Sequence, residues 1–259
     1  MTSAAFVLDR DEPRPRGTKA GPVVLLHGFL GEPSDWDAVV ADLELPREVF
    51  RADLLSAATA GGSVDALAKA VAGAIRAQGL APASVVGYSL GARVLFALLD
   101  RHGDAVGQAL VISGTPGLEE EDERRARREA DDRLAEALRS QGLAEFLDHW
   151  YAQPLFASLR THPDFGLIAR RRLAGDAEAW SRILAEASPG RTRPVWERLP
   201  AFAGRLRLAV GALDGKYLDL ARQVQEREPR IPIAVVEGAG HAIHLERPEA
   251  VASLVDRLP

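Results

Sequence analysis

The sequence predicts an α/β fold: a mostly parallel central sheet with helices on both faces and an inserted helical cap. Three observations carry that prediction. Short apolar runs alternate with segments of helical periodicity before residue 118 and again after residue 188. Between those points the alternation stops, and the composition turns charged and helical. The length of 259 residues suits one well-buried domain with a small insertion rather than two independent domains.

Val23-Val24-Leu25-Leu26 is an apolar run ended by His27-Gly28, a buried strand entering a loop. Glu48 to Leu54 forms a second such unit. From Ser63 to Gln78, the residues Val64, Leu67, Ala68, Val71 and Ile75 recur at helical spacing, and Ser84 to Gly87 reads as the next strand. Ser89 to Leu99 reads as a helix and Ala105 to Ser113 as a strand. The strand pattern resumes at Leu206 to Gly211 and Ile231 to Glu237, with a helix from Tyr217 to Arg227 between them and a closing helix from Glu246 to Leu258. This divides the chain into a core of 1–117 and 189–259 and a helical cap of 118–188. No internal repeat interrupts that plan.

Composition narrows the function classes. A formal net charge of −5 offers no basic footprint for a phosphate backbone, so nucleic acid is not an expected partner. With no cysteine, thiolate catalysis and cysteine-ligated metals are excluded. Asp9, Asp11 and Glu12 stand where a secretory signal would need an apolar core, and no run reaches the roughly 20 apolar residues of a membrane span. The expectation is a cytoplasmic protein with no membrane partner.

Gly87-Tyr88-Ser89-Leu90-Gly91 fits G-x-S-x-G between a predicted strand and a predicted helix. That sharp turn lifts a serine hydroxyl above the sheet and tolerates only small flanking residues. Such a hydroxyl needs an imidazole to take its proton and a carboxylate to fix the imidazole's tautomer. Asp214 follows one strand and His241 follows the next, in the order Ser…Asp…His expected of the α/β-hydrolase fold. His244 competes with His241 for the role. His27-Gly28-Phe29 sits where this fold supplies one oxyanion amide, that of Phe29, and Leu90 supplies the other; His27 itself reads as structural.

Several stretches from His27 onward resemble one family within that fold, the 2-succinyl-6-hydroxy-2,4-cyclohexadiene-1-carboxylate (SHCHC) synthases. His27-Gly28-Phe29, the serine pentapeptide and Gly240-His241 are its generic parts. The specific parts lie in the cap: Pro116-Gly117-Leu118, Glu123 to Arg128 with Asp131, and Trp150-Tyr151-Ala152-Gln153-Pro154-Leu155-Phe156-Ala157-Ser158-Leu159, similar to the family's W-Y-x-Q-P-x-F-x-S-L. The resemblance implies substrate contacts for Tyr88, Arg93, Arg124, Arg127, Trp150, Arg172 and Lys216. On spacing alone, Arg124, Arg127 and Arg128 share one helical face and read as a solvated surface with pairs such as Glu120–Arg124 and Glu123–Arg127; the resemblance reassigns Arg124 and Arg127 to the pocket. Phe156 reads as structural. The chain departs from the family at Asp53-Leu54-Leu55-Ser56-Ala57-Ala58-Thr59, where relatives read D-L-P-G-H-G, and at Leu30 and Ala92.

The resemblance implies a lyase of menaquinone biosynthesis that eliminates pyruvate from a small polyanionic substrate, with the triad acting as a base and no cofactor or metal required. Arginine's planar fork suits such carboxylates, and Arg93, Arg127 and Arg172 are expected to share them. Two alternatives use the same residues. One is a serine hydrolase of esters or C–C bonds, and the other is a non-catalytic ligand receptor.

Overall fold

The computed structural model describes residues 6–11 and 20–259. The stretch 1–17, whose acidic residues argue against a secretory signal, falls largely outside the described residues.

Among the described residues, seven strands form one sheet: β1 (Asp9–Arg10), β2 (Val23–Leu26), β3 (Val49–Ala52), β4 (Ala83–Tyr88), β5 (Val106–Ile112), β6 (Leu206–Gly211) and β7 (Ile233–Val236). Their order is β1-β3-β2-β4-β5-β6-β7. Only β1 runs antiparallel, pairing Asp9 with Arg51 and Arg10 with Phe50. The parallel strands β2 and β4 pair Leu26 with Gly87, which brings the His27 loop beside the serine turn. The β2 and β4 side chains are wholly buried, as expected of strands covered on both faces.

The major helices are α1 (Val64–Ala77), α2 (Leu90–Arg101), α3 (Glu121–Ala152), α4 (Phe165–Arg172), α5 (Ala177–Glu186), α6 (Gly215–Arg227) and α7 (Pro248–Asp256). In α1, every apolar residue that the spacing picked out is buried, and Ser63 caps the helix by accepting the Ala66 amide at 3.2 Å. No strand lies between Ile112 and Leu206, all of which are described residues; α3, α4 and α5 occupy that stretch. The long α3 is broken at Gly142, whose φ of +80° interrupts the helix where a side chain would be strained.

Short elements depart from expectation. The edge strand β1, the helical turns over Pro33–Ala41 and the helix Leu54–Ala57 have no counterpart in the sequence periodicity. The last of these fills the divergent loop: Asp53 caps it by accepting the Leu55 amide at 3.0 Å. The turn is then tied to α5 by the Gly62 amide on Glu186 (2.6 Å) and by Arg182 on the Ala58 carbonyl (3.2 Å). Leu30 is buried with φ +60°, a left-handed conformation that favours glycine.

Candidate active site

Ser89 lies between β4 and α2 with φ +51° and ψ −101°. Non-glycine residues reach that conformation only when the surroundings impose it. Here the Ser89 amide is held by the Ile112 carbonyl (3.0 Å) and the Gly91 amide by the His27 carbonyl (3.1 Å). The flanking glycines are required by close approach: a Cβ on Gly87 would collide with the Gly91 carbonyl, and one on Gly91 with the Leu26 carbonyl.

Asp214 follows β6 and caps α6, and His241 lies in the loop after β7. The His241 Nδ1–H donates to Asp214 Oδ2 at 2.7 Å, while its Nε2 stands 3.3 Å from Ser89 Oγ. Both His241 and Asp214 are buried, so the hydrogen bond between them is shielded from water. The loop carrying His241 is pinned from two directions. Glu246 accepts the Gly240 and Ala242 amides at 2.9 and 3.2 Å, and Ser113 Oγ donates to the His241 carbonyl at 2.9 Å.

His244 has a different environment. It is fully buried between Trp36 and Tyr88, with ring centroids at 4.8 and 4.2 Å, and neither ring nitrogen has a hydrogen-bond partner. Burial pushes its pKa down to about 3. It packs as a neutral ring rather than taking protons. His27 accepts the Leu54 amide on Nε2 (3.0 Å), which puts its proton on Nδ1, donating to the Gly28 carbonyl at 2.8 Å. It braces the loop that presents Phe29. Among the described residues the Phe29 and Leu90 amides have no hydrogen-bond partner, which leaves both donors for an oxyanion.

The serine opens onto a cavity of about 250 Å³ lined by Arg93, Arg127, Trp150, Lys216 and His241 among others. Burial, with Arg127 nearby, pushes the Arg93 guanidinium down to about 10, and the same two causes lower the Lys216 ammonium. Asp131 is the one carboxylate on this wall among the described residues. Arg93 also donates to the Ala187 carbonyl, and Arg127 donates from Nε to Asp131 at 2.8 Å.

Two expected substrate residues, Arg124 and Arg172, lie outside that wall. Arg124 does not point toward Ser89: it folds back on the start of α3, bonding Glu121 at 2.6 and 2.9 Å and the Leu118 and Glu119 carbonyls at 3.1 and 2.8 Å. Those carbonyls precede the first helical hydrogen bond and have no intrahelical donor, so a nearby arginine satisfies them. Its acidic partner is Glu121, not the Glu120 that helical spacing favours, and Arg127 likewise pairs with Asp131 rather than Glu123.

Arg172 does not join Arg93 and Arg127. It lines a separate cavity of about 30 Å³, which shares Ser89, Phe29, Trp150 and Phe156 with the larger one and also includes Tyr88. Its side chain is 4% exposed and donates to Asp35 at 2.7 Å. Burial alone would lower its pKa, but Asp35 and Tyr151 together more than offset this and hold it above the ordinary arginine range.

Three residues at the site carry no functional signal of their own in the sequence. Tyr217 lies tilted on His241 at 4.6 Å, lines the cavity, and gives its amide to Asp214 Oδ1 at 3.3 Å. Phe156, read as structural, meets His241 edge-on at 5.9 Å. Glu246 fixes the histidine loop. Proximity in sequence to Asp214 and His241 could have pointed to Tyr217 and Glu246; Phe156 had nothing beyond its motif. Among the described residues, no group of three His, Asp or Glu side chains is arranged to hold a metal ion, and no helix is long and apolar enough to cross a membrane.

Residues 23–254 match the model of the alpha/beta hydrolase family. The SHCHC synthase of Serratia proteamaculans (strain 568) is 32% identical over 243 residues, covering 89% of this chain and 90% of that protein. That of Enterobacter sp. (strain 638) is 30% identical over 244 residues, covering 91% and 90%. Protein PHYLLO, chloroplastic, of Arabidopsis thaliana is 30% identical over 251 residues, but the match spans 88% of this chain and only 15% of that much longer protein. Among solved structures, MenH from S. aureus superposes with a TM-score of 0.86 at 21% identity over 98% of this chain and 97% of that one. A thermophilic esterase from Thermogutta terrifontis gives 0.78 at 21% identity over 98% and 94%, so the shared architecture extends to hydrolases. By family model and by whole-length relatives, the chain belongs to the alpha/beta hydrolase family and, within it, to the 2-succinyl-6-hydroxy-2,4-cyclohexadiene-1-carboxylate synthases.

Proposed function

We propose that this protein is a carbon–oxygen lyase that eliminates pyruvate from 2-succinyl-5-enolpyruvyl-6-hydroxy-3-cyclohexene-1-carboxylate to give SHCHC, in the cytoplasm and as a step of menaquinone biosynthesis. The observation that carries this reading is a complete triad with two unpaired amides opening onto a wall of Arg93, Arg127 and Lys216. A neutral ester would leave those cations unmatched in a partly dehydrated site, whereas a polyanion satisfies them. Residues 118–188 would act as the cap over a core of 1–117 and 189–259, and Trp150 and Tyr88 would shape the walls around the substrate.

His241, oriented by Asp214, draws the proton from Ser89, whose oxygen removes the ring proton alpha to the succinyl carbonyl. The Phe29 and Leu90 amides bind the enolate oxygen that forms, in the place where hydrolases hold a tetrahedral oxyanion. The electron pair then moves through the ring double bond, a second double bond forms, and the C–O bond to the enolpyruvyl group breaks. The leaving group takes up a proton as pyruvate, which returns the triad to its resting state.

The test offers this substrate and a neutral activated ester to the same preparation, following pyruvate by coupled reduction and the ester by its released chromophore. Efficient pyruvate release with weak ester turnover supports the lyase. Fast ester turnover without pyruvate overturns it in favour of a hydrolase, and turnover of neither in favour of a binding protein.

A further inference from the structure

Most side chains along the first turns of α3 are exposed or half-exposed, but Asp131 is not. Its side chain is 1% exposed, on the turn between Ala130 and Leu134 that faces the catalytic cavity. A carboxylate taken out of water is costly unless its oxygens are matched by donors. Only one oxygen of Asp131 is matched: Oδ2 accepts from Arg127 Nε at 2.8 Å, and buried Oδ1 has no partner. The sequence motif included this residue without a role.

From this geometry we infer that Asp131 is a positioning residue for the anion-binding wall, acting through Arg127. The inference rests on the reading that this wall receives carboxylates. A guanidinium has five N–H donors, and the bond to Asp131 uses the one on Nε. The Arg127 side chain makes no other hydrogen bond among the described residues, so both terminal nitrogens stay free for the bidentate grip that carboxylates favour. Placed behind the guanidinium, the Asp131 charge restrains a long side chain without occupying the anion's place. It has a second effect on the same wall. Arg127 disfavours the charged forms of Arg93 and Lys216, and Asp131 favours both, so one carboxylate lets three cations share a cavity before substrate arrives.

The experiment is a double-mutant cycle on Asp131→Ala and Arg127→Ala, with Asp131→Asn as an isosteric variant that keeps an acceptor for Nε. Two readouts are taken: pyruvate-release kinetics, and binding of 2-succinylbenzoate, a stable dianion, by quenching of tryptophan fluorescence. Asp131→Ala is expected to raise KM and the dianion Kd about tenfold, with kcat within about twofold and Asp131→Asn intermediate. In the Arg127→Ala background the same change should cost almost nothing further. Equal losses in both backgrounds, or an equal loss of dianion and neutral-ester efficiency, would overturn the inference and return Asp131 to a packing role; tighter dianion binding by Asp131→Ala would overturn it too. If pyruvate is not released by the parent protein but the dianion binds with the expected coupling, the proposed reaction fails and the role of Asp131 stands. Pyruvate release without coupling leaves the reaction standing and overturns the role of Asp131.

Discussion

Replacing His244 by phenylalanine should flatten the acid side of the stability profile. The imidazole is fully buried, its nitrogens are unpaired, and its pKa is pushed down to about 3 from an ordinary 6.5. Unfolding restores the ordinary value, so between those limits the unfolded chain binds one more proton than the folded one at this position. A depressed histidine therefore contributes nothing to pH dependence above about 6.5, and stability falls as pH drops from there toward 3. One proton corresponds to about 1.4 kcal/mol per pH unit, so about 2 kcal/mol is lost by pH 5 through this residue alone. Because the ring is shielded from solvent, no large screening correction applies. The assay is urea unfolding at several pH values from 5 to 8 for the parent and His244→Phe, read as the difference between the two so that the other titrating groups cancel. Phenylalanine fits between Trp36 and Tyr88 without a donor to satisfy, and should narrow the loss at pH 5 by that amount. Parallel profiles would refute the reasoning and mean that His244 meets a partner in solution.

Ser89→Ala and His241→Ala should each lower pyruvate release by several orders of magnitude with little change in melting temperature, because members of such a unit fail together; near-normal turnover by either would end the serine-base mechanism. Arg93→Ala and Arg127→Ala should each cost about one to two decades in kcat/KM for the polyanion, whereas Arg124→Ala should stay within about twofold, since its bonds go to Glu121 and the start of α3. A large Arg124 effect confined to the polyanion would restore it to the pocket. Arg172→Ala should destabilise the fold by about 3 kcal/mol, because it takes the nearer cation from buried Asp35 and leaves only Arg171 at 3.8 Å; denaturant midpoints check this, and an unchanged midpoint with lost activity would place Arg172 on the substrate instead.

What the sequence disclosed and what it withheld have separate physical causes. Val23–Leu26 was legible residue for residue because a strand buried on both faces must be a short apolar run. The serine turn was legible because its close approaches admit so few residue types. The two-residue β1 carries no period at all, and its place depends on pairing with β3, about forty positions away. Charged residues were the least legible. Helical spacing says which face Arg124 and Arg127 share, but not that one finds free carbonyls behind it while the other finds Asp131 beside the cavity. Arg172 was harder still, since its partner Asp35 is 137 residues away and belongs to an unforeseen turn.

The same distinction, between cations already satisfied and cations still able to bind, bears on why a hydrolase-like triad should serve as a base. Ser89, His241 and Asp214 have the arrangement that acyl transfer would use, and the unpaired amides serve an enolate or a tetrahedral oxyanion equally well. The chemistry is chosen by what the pocket holds above the serine. Arg124 is committed to Glu121 and demands no anion, and Arg172, which gives Nη2 to Asp35 and keeps Nε and Nη1 unpartnered among the described residues, lines the smaller cavity rather than this wall. Arg93, Arg127 and Lys216 face one cavity with Asp131 as the only carboxylate among the described residues, three positive charges against one negative. Such an excess is tolerable only while water or a polyanion fills the space. A ligand with carboxylates on either side of a ketone would fix its acidic C–H over Ser89 while the ketone oxygen meets the amides of Phe29 and Leu90. In the proposed reaction, proton removal is then the step open to the serine, and the cationic wall would select it.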